Sequence, residues 1–294
     1  MKFWNKLGIL ALYLMVTFTV QAAQAKVKVY DCFPFFNELE ILDIRLHELN
    51  DVVDKFILIE ATNTHQGKPK RLFFEENKER YQQFLHKIEH VVVTLPQDAG
   101  IWVREEYQRD YLSTVLARLG CKNDDIVLVS DADEINRASV IRNISKRLSK
   151  KTPILILKQS CYNYYLNGDV NKTQCANSPY GAKWRYLKQH SPSWIRINRL
   201  HLGIPIVENA GWHFSWIGQE DKLLEKIQAY AHPAGKDSIY STKEGWKKEI
   251  QDLKAIGGGV VDIRPVDSSF PQYVQDNVER FIDIKFVLPW EGME

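Results

Sequence analysis

Between residues 27 and 148 the chain alternates four times between a short apolar run and a stretch with helical apolar spacing. Val27 to Asp31 opens the series, followed by a helix that begins at Asn37-Glu38 and runs through Leu39, Leu42, Ile44, Leu46 and Leu49. Val52 to Glu60 reads as the second strand. After a polar turn from Thr62 to Lys70, residues 75–87 read as the second helix. Ile88 to Leu95, closed by Pro96, precedes the helix Val103 to Leu119, and residues 126–130 with Ala138 to Leu148 make the last pair. Strands apolar on both faces must be covered on both, which crossover helices achieve for a parallel sheet. The expected class is α/β, with a mostly parallel sheet flanked by helices. No Gly-x-Gly-x-x-Gly or Walker loop follows any of these strands, so ordinary dinucleotide and P-loop sites lack support.

The fourth strand ends in acids: Ile126-Val-Leu-Val-Ser-Asp-Ala-Asp-Glu-Ile135. Open α/β sheets bind ligands beyond the carboxyl ends of their strands. Asp131 and Asp133, with only Ala132 between them, can turn both carboxylates toward one hard divalent cation, Mn²⁺ or Mg²⁺, with substrate phosphates completing its shell. The rival reading is a strand end followed by a helix N-terminus, where acids are favoured anyway. A phosphatase of the HAD type also places Asp-x-Asp after a buried strand. It needs a Gly-Thr or similar next, where this chain has Glu134-Ile135.

The second half is less regular. Pro153 to Gln159 reads as a strand, and residues 160–200 are rich in Tyr, Asn, Trp and Arg with weak periodicity. The segment Glu208 to Trp216, a helix from Glu220 to Tyr230 and another from Lys243 to Ala255 follow. Gly257-Gly258-Gly259 stops the last helix, and a tail with Pro265, Pro271 and Pro289 is expected to wrap the surface. We read one domain over 26–294, with a nucleotide half (26–150) and an irregular half (151–294) for the second substrate. The composition, 45% hydrophobic and 26% charged, is that of a globular domain. Eight Trp, 13 Tyr and 13 Phe also suit a surface that meets sugar rings.

Met1 to Lys6 is a basic leader, Leu7 to Val20 is apolar, and Gln21 to Ala25 has the small-x-small pattern of a signal-peptidase site. Residues 1–25 are expected to be a cleaved signal, placing the chain in a secretory lumen, a periplasm or outside the cell. A membrane attachment requires residues 7–20 to stay as an anchor, shorter than the roughly 20 residues of a span. Cleavage removes Lys2 and Lys6 from the 39 basic residues and leaves 37 against 37 acids. With no basic excess, nucleic acid is not an expected partner. Export permits disulfides, and a Cys161–Cys175 bridge would contribute roughly 3 kcal/mol. Cys32, inside an aromatic run, reads as a buried thiol. Asn143 and Asn171 head glycosylation acceptor patterns.

One ordered set of motifs resembles glycosyltransferase family 17. It comprises Phe36-Asn37-Glu38-Leu39, Arg45-Leu46-His47-Glu48-Leu49, Asp51-Val52-Val53-Asp54, Glu60, Thr64-His65-Gln66-Gly67, Trp102, Arg109, Ser130 to Ile135 and Ala210-Gly211-Trp212-His213-Phe214-Ser215-Trp216. Residues 160–200 match poorly, and that is where acceptor choice is expected. The resemblance implies a GT-A type fold and metal-dependent, inverting transfer of N-acetylglucosamine from UDP-N-acetylglucosamine to a glycan or glycoprotein. On this reading Asp131, Asp133 and His213 hold the metal, although a His between aromatics is more often a core residue. Glu220 and Asp221, at the start of the helix after His213, are the candidates for the general base; helix N-terminal placement is their alternative. Asn37, Glu38, Glu60, His65, Lys70, Arg109, Asp131 and Trp212 are expected on the donor. Glu60 would accept from uracil or ribose, and Arg109 would balance diphosphate charge unless Glu105 or Glu106 claims it. Asn37 and Glu38 alternatively cap the first helix. A secreted, non-catalytic carbohydrate-binding relative of the same fold is the reading from another functional class.

Overall fold

The computed structural model describes residues 26–170, 178–231, 235, 238–256 and 258–293. Its first half is the expected alternation of β1 (Val29–Phe35), α1 (Leu39–Leu49), β2 (Lys55–Ala61), α2 (Phe73–Asn77), β3 (Ile88–Val93), α3 (Ile101–Arg118) and β4 (Ile126–Val129). These strands lie in the order β3-β2-β1-β4, all parallel. The side-chain period of two divides the core. Ile57 and Ile59 of β2 face Leu112, Val115 and Leu116 of α3. Phe56 and Leu58 face Leu42, Leu46 and Leu49 of α1 and Phe74 of α2. β1 runs on past Asp31 to Phe35, because Asp31 is paired inside the fold and its charge does not end the strand.

The second half continues the sheet with mixed directions. The strands β5 (Glu134–Asn136), β6 (Ile154–Tyr164), β7 (Gly168–Asp169), β8 (Tyr180–Lys183), β9 (Ile206–Ile217) and β10 (Asp262–Ile263) follow in the chain. β8 pairs antiparallel with both β4 and β6. β9 runs parallel along β6, which carries β6 beyond Gln159 to Tyr164. β5 pairs antiparallel with β9, setting Glu134 opposite His213. Gly211 permits that approach, since a Cβ there would sit 2.0 Å from the Ile135 carbonyl oxygen. The α/β architecture is thus parallel through β4 and mixed beyond it.

Local differences have simple causes. The helix expected over 75–87 is α2 followed by a 3-10 segment, Lys78–Phe84, bent at Tyr81. That expected over 138–148 is two short turns, Ala138–Ile141 and Ile144–Arg147. Cys32 is a buried free thiol. Cys161 is disulfide-bonded, while Cys175, Asn171, Gly257 and the leader 1–25 lie outside the described residues. Among the described residues no helix is long and apolar enough to cross a membrane.

Candidate active site

The site begins with a charge in the core. Arg45 of α1 is fully buried; its Nε and Nη2 donate to Asp31 of β1 at 2.7 and 2.6 Å. Nη2 also donates to Ser130 Oγ at 2.5 Å. Nη1 donates to the carbonyl oxygens of Asp131, Ala132 and Glu134 at 2.9, 3.2 and 3.0 Å. One guanidinium therefore spends its fixed fork of donors on the turn that carries the acid motif. Glu134 reinforces the turn by accepting the Asp131 N–H at 2.7 Å.

That turn presents Asp131 and Asp133 to a cavity of about 150 Å³ at the carboxyl edge of β4. Asp131 lies 2.9 Å from Arg109 and 2.6 Å from Arg196. Asp133 lies 2.8 Å from Lys226 and 3.5 Å from His213 Nε2. Burial pushes the Asp131 carboxyl up, but Arg109 and Arg196 outweigh it and hold the group well below the usual carboxylate range. Burial opposes ionisation of Asp133 too, and Lys226 with His213 overcomes it. His213 is pulled down by burial yet ends raised, through its hydrogen bond to Asp133 and the surrounding acids.

Seven of the expected residues line this cavity: Glu38, His65, Lys70, Arg109, Asp131, Asp133 and His213. Glu38 stands at the N-cap of α1 but its side chain makes no capping bond; its Oε2 accepts the N–H groups of Phe36 and Asn37 at 3.2 and 3.1 Å. His65 Nε2 lies 2.8 Å from Gln108 Oε1, and burial lowers its pKa. Arg109 is paired with Glu105, one of its two expected rivals, at 2.7 Å, and also lies 2.9 Å from Asp131.

Five of the expected residues do not line it. Glu60 is buried one layer behind the wall, where it accepts from Phe74 N–H at 3.1 Å and lies 3.0 Å from His90 and 3.5 Å from Lys70. It holds Lys70 in place rather than facing the cavity. Asn37 is also behind the wall, donating to Glu225 at 2.8 Å. Trp212 is a core residue: strand alternation turns it away from the face that His213 occupies, its Nε1 donates to the Ser269 carbonyl at 3.0 Å, and Arg137 covers its ring. Glu220 and Asp221 open the helix Glu220–Ala229 away from the cavity, and Asp221 is exposed and paired with Lys243 at 2.6 Å. That helix presents Lys226 and Ala229 to the cavity instead.

Sequence reasoning missed Arg196, Trp216, Lys226 and Tyr230, all on the cavity wall. Trp216 belongs to β9, and alternation alone would bury it beside Trp212 and Phe214. A register shift between Asn163 and Tyr164 leaves Trp216 as the extra residue, at φ +58°. Such a bulge re-aims a side chain, here into the cavity. Lys226 sits 5.4 Å over its ring, and Trp246 stacks on it at 5.3 Å.

The Glycosyltransferase family 17 model matches residues 14–282 of this chain. Human beta-1,4-mannosyl-glycoprotein 4-beta-N-acetylglucosaminyltransferase is 34% identical over 218 residues, covering 65% of this chain and 41% of that protein. The rat protein of the same name is 32% identical, covering 65% and 40%. The chain thus spans about two fifths of the length of these relatives. Glucosyl-3-phosphoglycerate synthase from Mycobacterium tuberculosis aligns at 16% identity and a TM-score of 0.40, over 69% of this chain and 76% of that one.

Proposed function

Because the chain belongs to glycosyltransferase family 17, we propose that it transfers N-acetylglucosamine from UDP-N-acetylglucosamine to a glycan or glycoprotein acceptor, inverting the anomeric centre and using Mn²⁺ or Mg²⁺. The observation that carries this reading is the placement of Asp131 and Asp133 on the wall of one cavity at the carboxyl edge of a central parallel strand. The donor set suits such an ion: two hard carboxylates with an imidazole close by. Among the described residues no group of three or more His, Cys, Asp or Glu side chains closes a metal cage. Most of the shell is therefore left to phosphate oxygens, as expected for these ions. When bound, the ion would neutralise charge that builds on the departing diphosphate.

The chain's own groups supply the rest. Arg109 Nη1 is buried without a hydrogen-bond partner beside the cavity, an unsatisfied donor suited to an anion. Two lining carboxylates stand outside the metal pair. Glu38 spends one oxygen on two backbone N–H groups and the other on Lys226 at 3.4 Å. Glu105 is held at one oxygen by Arg109, so we assign it the proton of the attacking hydroxyl, in place of Glu220 and Asp221. Trp216 and Phe36 offer ring surface for a sugar or base.

The test is UDP release from a panel of nucleotide sugars with Mn²⁺, comparing the wild type with Asp133→Asn. Turnover of UDP-N-acetylglucosamine that falls by roughly a hundredfold or more in the variant supports the reading. Silence with every donor, alongside metal-independent glycan binding, replaces it with the non-catalytic one.

A further inference from the structure

Each oxygen of the Asp131 and Asp133 carboxylates is already matched by one of the protein's own nitrogen groups. Arg109 and Arg196 take the two oxygens of Asp131, at 2.9 and 2.6 Å; Lys226 and His213 take those of Asp133, at 2.8 and 3.5 Å. A divalent cation at about 2.1 Å from such an oxygen would meet these cations at close range and be repelled. The four contacts are not equally fixed. Arg109 is almost wholly buried and anchored to Glu105. Arg196 and Lys226 are less deeply buried, with side chains 14 and 15% exposed against 3% for Arg109, and each has a second acid within reach. Arg196 lies 2.9 Å from Glu134 Oε1, and Lys226 lies 3.4 Å from Glu38.

We propose that Arg196 and Lys226 are diphosphate-binding residues which, before the donor arrives, serve as counter-ions to Asp131 and Asp133. On donor binding their heads pass from the carboxylates to the phosphates, and the carboxylates turn to the divalent ion. The proposal rests on the glycosyltransferase reading above. Charge balance favours a joint exchange. Five acids (Glu38, Glu105, Asp131, Asp133 and Glu134) surround these cations, and the ion and diphosphate bring charges that largely offset each other. Either one alone leaves a buried site out of balance, which is costly at low dielectric. Metal and nucleotide therefore bind with strong, reciprocal positive coupling.

The experiment measures Mn²⁺ binding by the paramagnetic resonance of the free ion and UDP binding by calorimetry, on wild-type protein and on Lys226→Met. In the wild type, Mn²⁺ alone binds weakly and UDP tightens it by about tenfold or more. In Lys226→Met the two affinities move in opposite directions: Mn²⁺ alone binds about tenfold tighter, and UDP in the presence of Mn²⁺ binds about tenfold weaker. Lys226→Arg, which keeps the charge, leaves Mn²⁺ alone weak. An unchanged or weaker Mn²⁺ affinity in a folded Lys226→Met protein overturns the proposal. Should that variant not fold, the wild type decides, since Mn²⁺ bound equally well with and without UDP overturns it too. A wild type that binds no UDP with Mn²⁺ defeats the glycosyltransferase reading and the diphosphate half with it. The Mn²⁺-alone comparison still judges the counter-ion half.

Discussion

Arg45→Met tests whether a buried charge holds the acid motif in place. The substitution keeps an unbranched apolar stem beside Phe33, whose ring centroid lies 4.1 Å from the guanidinium carbon. It strips Asp31, which is fully buried, of both ionic hydrogen bonds. Removing one partner of a buried ion pair costs about 3–5 kcal/mol. The three carbonyl oxygens and Ser130 lose charged donors as well, adding about 1 kcal/mol where water replaces them incompletely. Against a total stability of about 5–15 kcal/mol, the loss should lower the melting temperature by roughly 10–20 °C. The informative step is the double variant Asp31→Leu/Arg45→Met. An apolar pair relieves the buried charge, so most of the stability returns. The carbonyls of Asp131, Ala132 and Glu134 remain untethered, so the KM for the nucleotide sugar stays raised by about tenfold or more. Thermal melts and UDP-release kinetics on the three proteins decide the matter. A single variant within about 1 kcal/mol of wild type refutes the stability argument. A double variant with wild-type KM shows that the turn does not need Arg45.

Three further outcomes follow from the site. Trp216 sits at φ +58°, where a Cβ is strained and glycine is not, so Trp216→Gly should be more stable than Trp216→Ala by about 1 kcal/mol in urea unfolding; the usual order, alanine above glycine, would contradict the bulge. Glu105→Gln should lower kcat by roughly a hundredfold with little change in donor KM, whereas the same change at Asp221, already paired with Lys243 on the surface, should leave kcat near wild type. Asp131 and Asp133 have pKa values depressed from 3.8, so their stabilisation is present above pH 3.8 and is lost as pH falls through their lower folded values. His213 is raised from 6.5, so its share is present below pH 6.5 and is lost as pH rises through the raised value. Asp133→Asn should flatten unfolding free energy against pH on both flanks, and a curve parallel to wild type would count against the pairing.

The parallel half of the fold was legible because burial on both faces leaves a mark that composition alone carries. Ile126 to Val129 and Lys55 to Ala61 are nearly continuous apolar runs, and no surface strand of that kind would be stable in water. The same logic fails after β4. β6 has polar and aromatic residues mixed along it, Lys158, Gln159 and Tyr162 among them, because it lies between β9 along one edge and β8 followed by β7 along the other. Its length depends on a partner strand some fifty residues away, which local periodicity cannot register. The stretch 160–200 looked irregular for a related reason. Its helix Pro192–Asn198 is two turns long, too short for an apolar stripe, and is fixed by α3 through Asp110 Oδ1, which accepts the Ser193 N–H at 2.7 Å.

Within the site, Arg109 and His213, which answer the acid motif, could be read, and Arg196 and Lys226, which answer the same two acids, could not. Arg196 carries no motif, and its role exists only because α3 seats the short helix against the acid turn. Trp212 is different, since one physical rule was available. If His213 faces the cavity, neighbours on a strand point the opposite way, and Trp212 must go to the core. That rule would have turned attention to Ser215, which does line the cavity. It would have buried Trp216 as well, and there it fails, because a bulge is set by pairing with β6 and has no glycine to announce it. A tryptophan held in the left-handed region costs about 1–2 kcal/mol, offset in part by its packing on Trp246, while Trp212 and Phe214 stack in the core on the other face. The strain buys position, placing an indole beside Lys226 and the acids, and Trp216 is accordingly the residue of this motif that we assign to the substrate in place of Trp212.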